Sequence, residues 1–262
     1  MFMARLCPLF SGSSGNSYYI GSRSAGLLLD AGRSARQLDH MLKLCGIDPL
    51  AIQGILVTHE HTDHVSGLRV FAKKYQLPVF ASKGTLEAVE AQLEGIEAHV
   101  ISEETELAGM RITPFSTSHD CSEPLGYRIR TEDGRILGFS TDLGYLSDTV
   151  KEHLLGADFV VLESNHDPEM LRTGGYPYPL KQRILSDRGH LSNQVCAGFL
   201  PELARSGTKR FLLAHLSREN NTPSLARDTA LSALVQAGLT PEVDFLLDTA
   251  KPENTQGYTF IF

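Results

Sequence analysis

The apolar positions of this chain fall into short runs whose period changes along its length. In the first half, Ser17-Tyr-Tyr-Ile-Gly21 and Ala25-Gly-Leu-Leu-Leu-Asp30 predict neighbouring strands joined by a polar turn. Residues 34–45 place Leu38, Met41, Leu42 and Cys45 at helical spacing, and the pattern stops at Gly46. Gly54-Ile-Leu-Val-Thr58 predicts a buried strand. Helices are expected near 64–76 and 84–93, then strands at 110–116, 124–131 and 134–140. In the second half a helix near 147–154 leads to the apolar strand Asp158-Phe-Val-Val-Leu-Glu163. Helices near 178–187 and 192–204 precede the strand Arg210-Phe-Leu-Leu-Ala214, and a helix over 223–237 leads to strands near 244–248 and 255–261. Strands and helices thus alternate in both halves, which fits an α/β fold of two mixed sheets packed face to face with helices outside. No low-complexity linker or short-period repeat divides the chain, so one domain over 1–262 is expected.

Composition narrows the class. With 42% hydrophobic and 21% charged residues, the 262-residue chain is ordinary for a soluble globular protein and long enough for a sizeable core. The formal net charge of −7 argues against a broad basic surface that binds nucleic acid regardless of sequence. It leaves nucleic-acid chemistry open, because bound divalent metals supply positive charge locally. Cys7, Cys45, Cys121 and Cys196 lie far apart and read as structural thiols of a reduced compartment. The first ten residues carry no basic segment followed by a long apolar run, and no stretch reaches the roughly 18 apolar residues of a membrane span. The expected location is the cytoplasm, with no membrane partner.

The strongest chemical signal is Thr58-His59-Glu60-His61-Thr62-Asp63-His64, set between a buried strand and a helical pattern. Imidazole and carboxylate groups crowded at a strand-to-helix turn can fan around adjacent metal ions. His59 and His61 are two apart, so extended backbone aims both rings to one side. A zinc-protease motif on a helix does not fit, because the position where its second histidine belongs is Asp63.

His-x-His-x-Asp-His after a buried strand resembles the first metal motif of the metallo-β-lactamase superfamily. Later segments resemble further motifs of that family in order. Ser118-His119-Asp120 with Pro124-Leu-Gly-Tyr-Arg128 is similar to the third-histidine segment, Ser140-Thr141-Asp142 to the bridging-aspartate motif, and Leu213-Ala214-His215-Leu216-Ser217 to the last-histidine motif. The resemblance implies a four-layer αββα sandwich without an inserted second domain. It also implies two divalent ions, one held by His59, His61 and His119, the other by Asp63, His64 and His215, with Asp142 between them. Such a pair, about 3.5–4 Å apart, lowers the pKa of a shared water and clamps the oxygens of an in-line displacement. Imidazoles with two carboxylates suit Zn²⁺, Mn²⁺ or Fe²⁺ alike. His40, His99 and His153 lie outside every motif and read as surface residues.

Two more segments bear on the substrate. Leu162-Glu163-Ser164-Asn165-His166-Asp167 and Arg188-Gly189-His190-Leu191-Ser192-Asn193 resemble the paired glutamate and histidine segments of ribonuclease Z-like and ribonuclease J-like nucleases. The resemblance implies that His190 acts on the scissile phosphate or its leaving oxygen while Glu163 holds its ring. Asp63, His190 and Glu163 are therefore the expected catalytic residues. Asn16 of the Ser/Gly-rich loop, His166 and Asn193 are expected substrate contacts. Lys181, Arg183 and Arg188 are read as charges of a solvated helix face. Taken together, the motifs resemble the YycJ/WalJ group of metal-dependent exonucleases, which implies 5′-3′ cleavage of DNA in preference to RNA by attack of metal-held hydroxide on phosphorus. The alternative is a metal-dependent hydrolase of a small ester, thioester or cyclic phosphodiester. The oligomeric state is left open, a homodimer being allowed.

Overall fold

A computed structural model describes residues 4–22 and 24–262. The strands β1 (Arg5–Phe10), β2 (Ser17–Gly21), β3 (Gly26–Leu29), β4 (Ile52–Leu56), β5 (Val79–Ala81) and β6 (Ala98–Val100) form one sheet in that order. A second sheet runs in order from β7 (Thr105–Leu107) through β8 (Met110–Ser116), β9 (Leu125–Arg130), β10 (Ile136–Ser140), β11 (Phe159–Glu163) and β12 (Arg210–Ala214) to β13 (Leu246–Thr249). The short β14 (Phe260–Ile261) returns to the first sheet beside β1. Both sheets are mixed: β3 to β6 and β10 to β13 pair in parallel, the rest antiparallel.

Side-chain alternation explains why the strands read as continuous apolar runs. Leu27 and Leu29 join Tyr18, Ile112, Tyr127, Phe139, Val161 and Leu212 in the core between the sheets. Leu28, pointing the other way, joins Leu38, Met41, Leu42, Leu68 and Phe71 under α1 (Ala35–Leu44) and α3 (Leu68–Tyr75). In the second sheet Val160 and Leu162 pack under α6 (Asp148–Leu154), α9 (Asn193–Arg205) and α10 (Pro223–Gln236). A strand buried on both faces needs apolar residues at every position, so the period of two disappears. The result is the expected sandwich of helices, two sheets and helices, with Cys7, Cys45 and Cys196 buried as thiols.

The differences from expectation are local. The helix expected over 64–76 is two, α2 (Thr62–Val65) and α3, broken at Gly67. A Cβ there would lie 1.9 Å from the Arg33 carbonyl oxygen, so the close approach that starts α3 requires glycine. The helix expected over 84–93 likewise splits at Val89 into α4 (Lys83–Ala88) and α5 (Glu90–Leu93). Strands β1, β5, β6 and β7 and the helix α7 (Pro168–Thr173) were not anticipated, whereas α8 (Tyr178–Ile184) was. The last strand is confined to two residues of the expected 255–261. No helix among the described residues is long and apolar enough to cross a membrane.

Candidate metal centre

The carboxyl ends of several strands open at one end of the sandwich, the place where α/β sheets usually expose ligand-binding groups. Asp30 follows β3, His59 and His61 follow β4, and Asp142 follows β10; Glu163 ends β11 and His215 follows β12. His119 follows β8, which runs in the same direction as β10 because both pair antiparallel with β9. Asp63 and His64 sit in the short helix α2.

These side chains converge. One ligand atom from each of His59, His61 and His119 lies within 4.8 Å of the others, and the same holds for Asp63, His64 and His215. Asp142 reaches both sets, with Oδ2 3.3 Å from His64 Nε2 and Oδ1 4.0 Å from His119 Nε2. Its Oδ1 is also 3.3 Å from His215 Nδ1.

The rings are aimed by what stands behind them. Asp30 accepts from Thr58 Oγ1 at 2.9 Å and from His64 Nδ1 at 2.8 Å. A carboxylate only accepts, so Thr58 spends its hydrogen on Asp30 and receives one from His59 Nδ1 at 3.0 Å. His119 Nδ1 donates to the Gly189 carbonyl at 3.0 Å, and His215 Nδ1 to Glu163 Oε1 at 2.8 Å. Each Nε2 is thereby left facing the centre. His59 Nε2, His119 Nε2, His215 Nε2 and Asp142 Oδ2 are buried with no hydrogen-bond partner. Buried polar atoms are usually paired in folded proteins, and these four orphans lie among the convergent ligand atoms, which fits one or more divalent cations. His61 and Asp63 stand on the open side, their side chains 29% and 24% exposed.

Backbone geometry contributes too. Asp30, Asp142 and His215 have φ of 59°, 56° and 54°. That left-handed conformation is uncommon outside glycine and is tolerated best by residues of the Asn, Asp and His kind. Here it turns each side chain inward just past a strand end.

The electrostatics divide the histidines. Burial pushes His59 well below its usual range and lowers His119 as well. Burial also acts against charging His64 and His215, yet the carboxylates win. Asp142 and Asp30 lift His64 well above its usual range, and Asp142, Asp63 and Glu163 lift His215 to about 10. Burial would raise Asp142, but His215 and His64 hold it far below the carboxylate range.

Beside this cluster, Glu163 is fully buried and saturated with donors. Its Oε1 accepts from His190 Nδ1 and His215 Nδ1, both at 2.8 Å, and its Oε2 from the amides of Leu143 (3.1 Å) and Leu191 (3.0 Å). Burial opposes its charge, but His190 and His215 hold it at about 2. His190 keeps 14% of its side chain open and, with Nδ1 committed, has Nε2 free.

Of the three residues expected at substrate, Asn16 is buried against the cluster, its Nδ2 3.0 Å from His64 Nε2 and 3.3 Å from Asp63 Oδ2. His166 is 2% exposed with neither ring nitrogen paired, and burial lowers it to about 4. Asn193 is turned elsewhere. Its Oδ1 accepts from Ser164 and Asn221 and its Nδ2 donates to Asn221, so its amide ties α9 to the strand end instead of lining the opening. The basic residues of α8 and the following turn are not simply solvated. Arg183 pairs with Asp120, Arg188 donates to the His119 and Cys121 carbonyls, and Lys181 to the Arg172 carbonyl. His40 and His99 are exposed, while His153 is half-buried and stacked on Phe115. Asp30 and Thr58 were missed; the only hint was an aspartate and a threonine closing apolar strand patterns.

A family model described as a beta-lactamase superfamily domain matches residues 26–216. The chain is 40% identical over 235 residues to an exodeoxyribonuclease YycJ of Bacillus anthracis, covering 88% of this chain and 89% of the relative. It is 37% identical over 260 residues to an exodeoxyribonuclease WalJ of Streptococcus pneumoniae, covering 97% and 96%. The solved structure of the metallo-β-lactamase fold protein YhfI from Bacillus subtilis superposes with a TM-score of 0.75 at 16% identity, over 99% of this chain and all of that one. The chain therefore belongs to the metallo-β-lactamase superfamily.

Proposed function

We propose that this hydrolase is a dinuclear-metal-dependent phosphodiesterase that works as a 5′-3′ exonuclease on DNA. The observation that carries the reading is the His190–Glu163 pair, 2.8 Å apart, standing beside the convergent histidine and aspartate cluster. A lactamase or thioesterase needs no such second histidine. The exodeoxyribonuclease names of two relatives that align with most of the chain support the same substrate.

In this reading His59, His61 and His119 would hold one cation and Asp63, His64 and His215 the other, with Asp142 within reach of both sets. The donor set suits zinc, manganese or iron. When bound, the two cations supply a water of lowered pKa and positive charge for the phosphoryl oxygens. The side chains do the rest. His190 uses Nε2 to stabilise the phosphate or to protonate the leaving oxygen. Glu163 fixes the ring and its tautomer. Asp63, on the open side, both holds metal and orients the attacking water. His166, buried with both ring nitrogens unpaired, would meet substrate only once its segment opens; Asn16 steadies Asp63, while Asn193 shapes the wall from behind. The whole of 1–262 acts as one domain with no inserted second domain, in the cytoplasm.

His190→Ala tests the assignment. Turnover on nucleic acid should fall by about 10²–10⁴-fold, the usual worth of general acid catalysis, with metal content by elemental analysis unchanged. Normal cleavage by that variant overturns the role. End-labelled single- and double-stranded DNA and RNA report polarity and sugar preference. A lactam, a thioester and a bis-aryl phosphodiester assayed in parallel separate the alternative hydrolase.

A further inference from the structure

We propose that Ser14, Arg33 and Arg218 form a phosphate subsite beside the metal centre, holding a second phosphate of the strand being cut; this rests on the phosphodiesterase reading above. Arg33 Nη2 donates to Ser14 Oγ at 3.0 Å, and Arg218 Nη2 donates to the same oxygen at 2.7 Å. Both lone pairs of one hydroxyl are thus taken by guanidinium groups, and two like charges meet across a single atom. Only one carboxylate is at hand. Glu253 Oε1 lies 3.2 Å from Arg33 Nη2, and among the described residues Arg218 has no carboxylate within ion-pair distance. An anion is the missing partner, and paired guanidiniums match the oxygens of a phosphate.

The arrangement is held in place. The Arg33 guanidinium lies 5.3 Å from the Phe10 ring centroid, and its buried Nε has no acceptor. Gly15, at φ 150°, lets the loop press on this side chain, since a Cβ there would sit 2.6 Å from Arg33 Cδ. The same loop touches the metal centre at both ends. Ser11 Oγ accepts the His215 amide at 2.9 Å, and Asn16 lies against His64 and Asp63. Ser14 is two or three residues from either contact, a span of no more than about 10 Å, and Arg218 is three residues beyond His215. The subsite therefore flanks the second triad, within reach of a phosphate neighbouring the scissile one. On the opposite flank Arg183 and Arg188 are already engaged by Asp120 and by backbone carbonyls.

The ligand is a phosphate group, from either the 5′ end or the interior of the strand. The test assays Arg218→Ala and Ser14→Ala with metals present, on 3′-labelled oligodeoxynucleotides bearing a 5′-phosphate or a 5′-hydroxyl, and on bis(4-nitrophenyl) phosphate, which has no second phosphate. Arg218→Ala should raise KM for the oligonucleotide roughly tenfold, as for a lost charged hydrogen bond, with the change in KM instead of kcat. The slope of log affinity against log salt should become shallower by about 0.7, one phosphate contact on a single strand. An effect confined to the 5′-phosphorylated strand assigns the subsite to the terminal phosphate, and an equal effect on both strands assigns it to an internal one. Arg111→Ala removes the same charge from β8 and should leave KM in place. Oligonucleotide KM and salt slope as in the wild type for both Arg218→Ala and Ser14→Ala overturn the subsite, as does an equal rise in KM for the aryl ester. A wild-type protein inactive on every phosphodiester instead overturns the reading on which the subsite rests.

Discussion

In the first triad His59 and His119 lean on neutral groups, the Thr58 hydroxyl and the Gly189 carbonyl, whereas in the second His64 and His215 lean on the carboxylates of Asp30 and Glu163. All four rings are buried to a similar degree, yet their acidities move in opposite directions. Burial is therefore not what distinguishes them; the carboxylates around each ring are, Asp142 foremost, joined by Asp30 behind His64 and by Asp63 and Glu163 against His215. A carboxylate behind an imidazole raises its basicity as a ligand and fixes its tautomer. If the centre holds two cations as proposed above, the second triad should accordingly hold its cation more tightly, leaving the first as the more exchangeable site.

The comparison can be broken most forcefully at Glu163, which serves a ring of the second triad and His190 at once. Glu163→Gln should lower turnover by about 10²–10⁴-fold through His190 and weaken one metal of the two, read by kinetics together with metal titration. Loss of turnover with both metals held as in the wild type would detach Glu163 from the second triad. Asp30→Asn is the cleaner probe. It should cost about 10–100-fold in affinity for one ion, with one equivalent still retained after dialysis. Loss of both ions together would mean that the triads are not separable. The smallest effect is expected at Asp120, part-exposed, 3.4 Å from His119 Nε2 and paired with Arg183. Asp120→Asn should change metal affinity by less than about fivefold, as for a solvent-screened charge; a larger loss would show that the first triad also depends on a carboxylate.

What the sequence revealed of this site and what it hid follow from chain distance. His59, His61, Asp63 and His64 are neighbours, so their common purpose is written in one segment. His119, Asp142 and His215 are scattered, but each sits just past an apolar strand, where short motifs betray them. Asp30 also closes an apolar strand but carries no motif to betray it: its role exists only once β3 and β4 lie side by side and Thr58 and His64 come within reach. Asn193 misled for the converse reason. Its motif neighbours His190, but as the first residue of α9 its side chain is captured by Ser164 and Asn221. Among the elements, long strands such as β8 and β12 were legible, while three-residue strands such as β5 and β6 are too short to show a period. The breaks at Gly67 and Val89 depend on tertiary contacts that local pattern does not carry.

The left-handed turns at Asp30, Asp142 and His215 mean that these positions ask two things of whatever residue fills them. An alanine there deletes the functional group but keeps a Cβ in a conformation that disfavours it by about 1–2 kcal/mol. A glycine deletes the group and relaxes the backbone together. Alanine scanning of this centre consequently mixes lost chemistry with lost folding free energy, and the difference between the alanine and glycine variants at each position is what separates them.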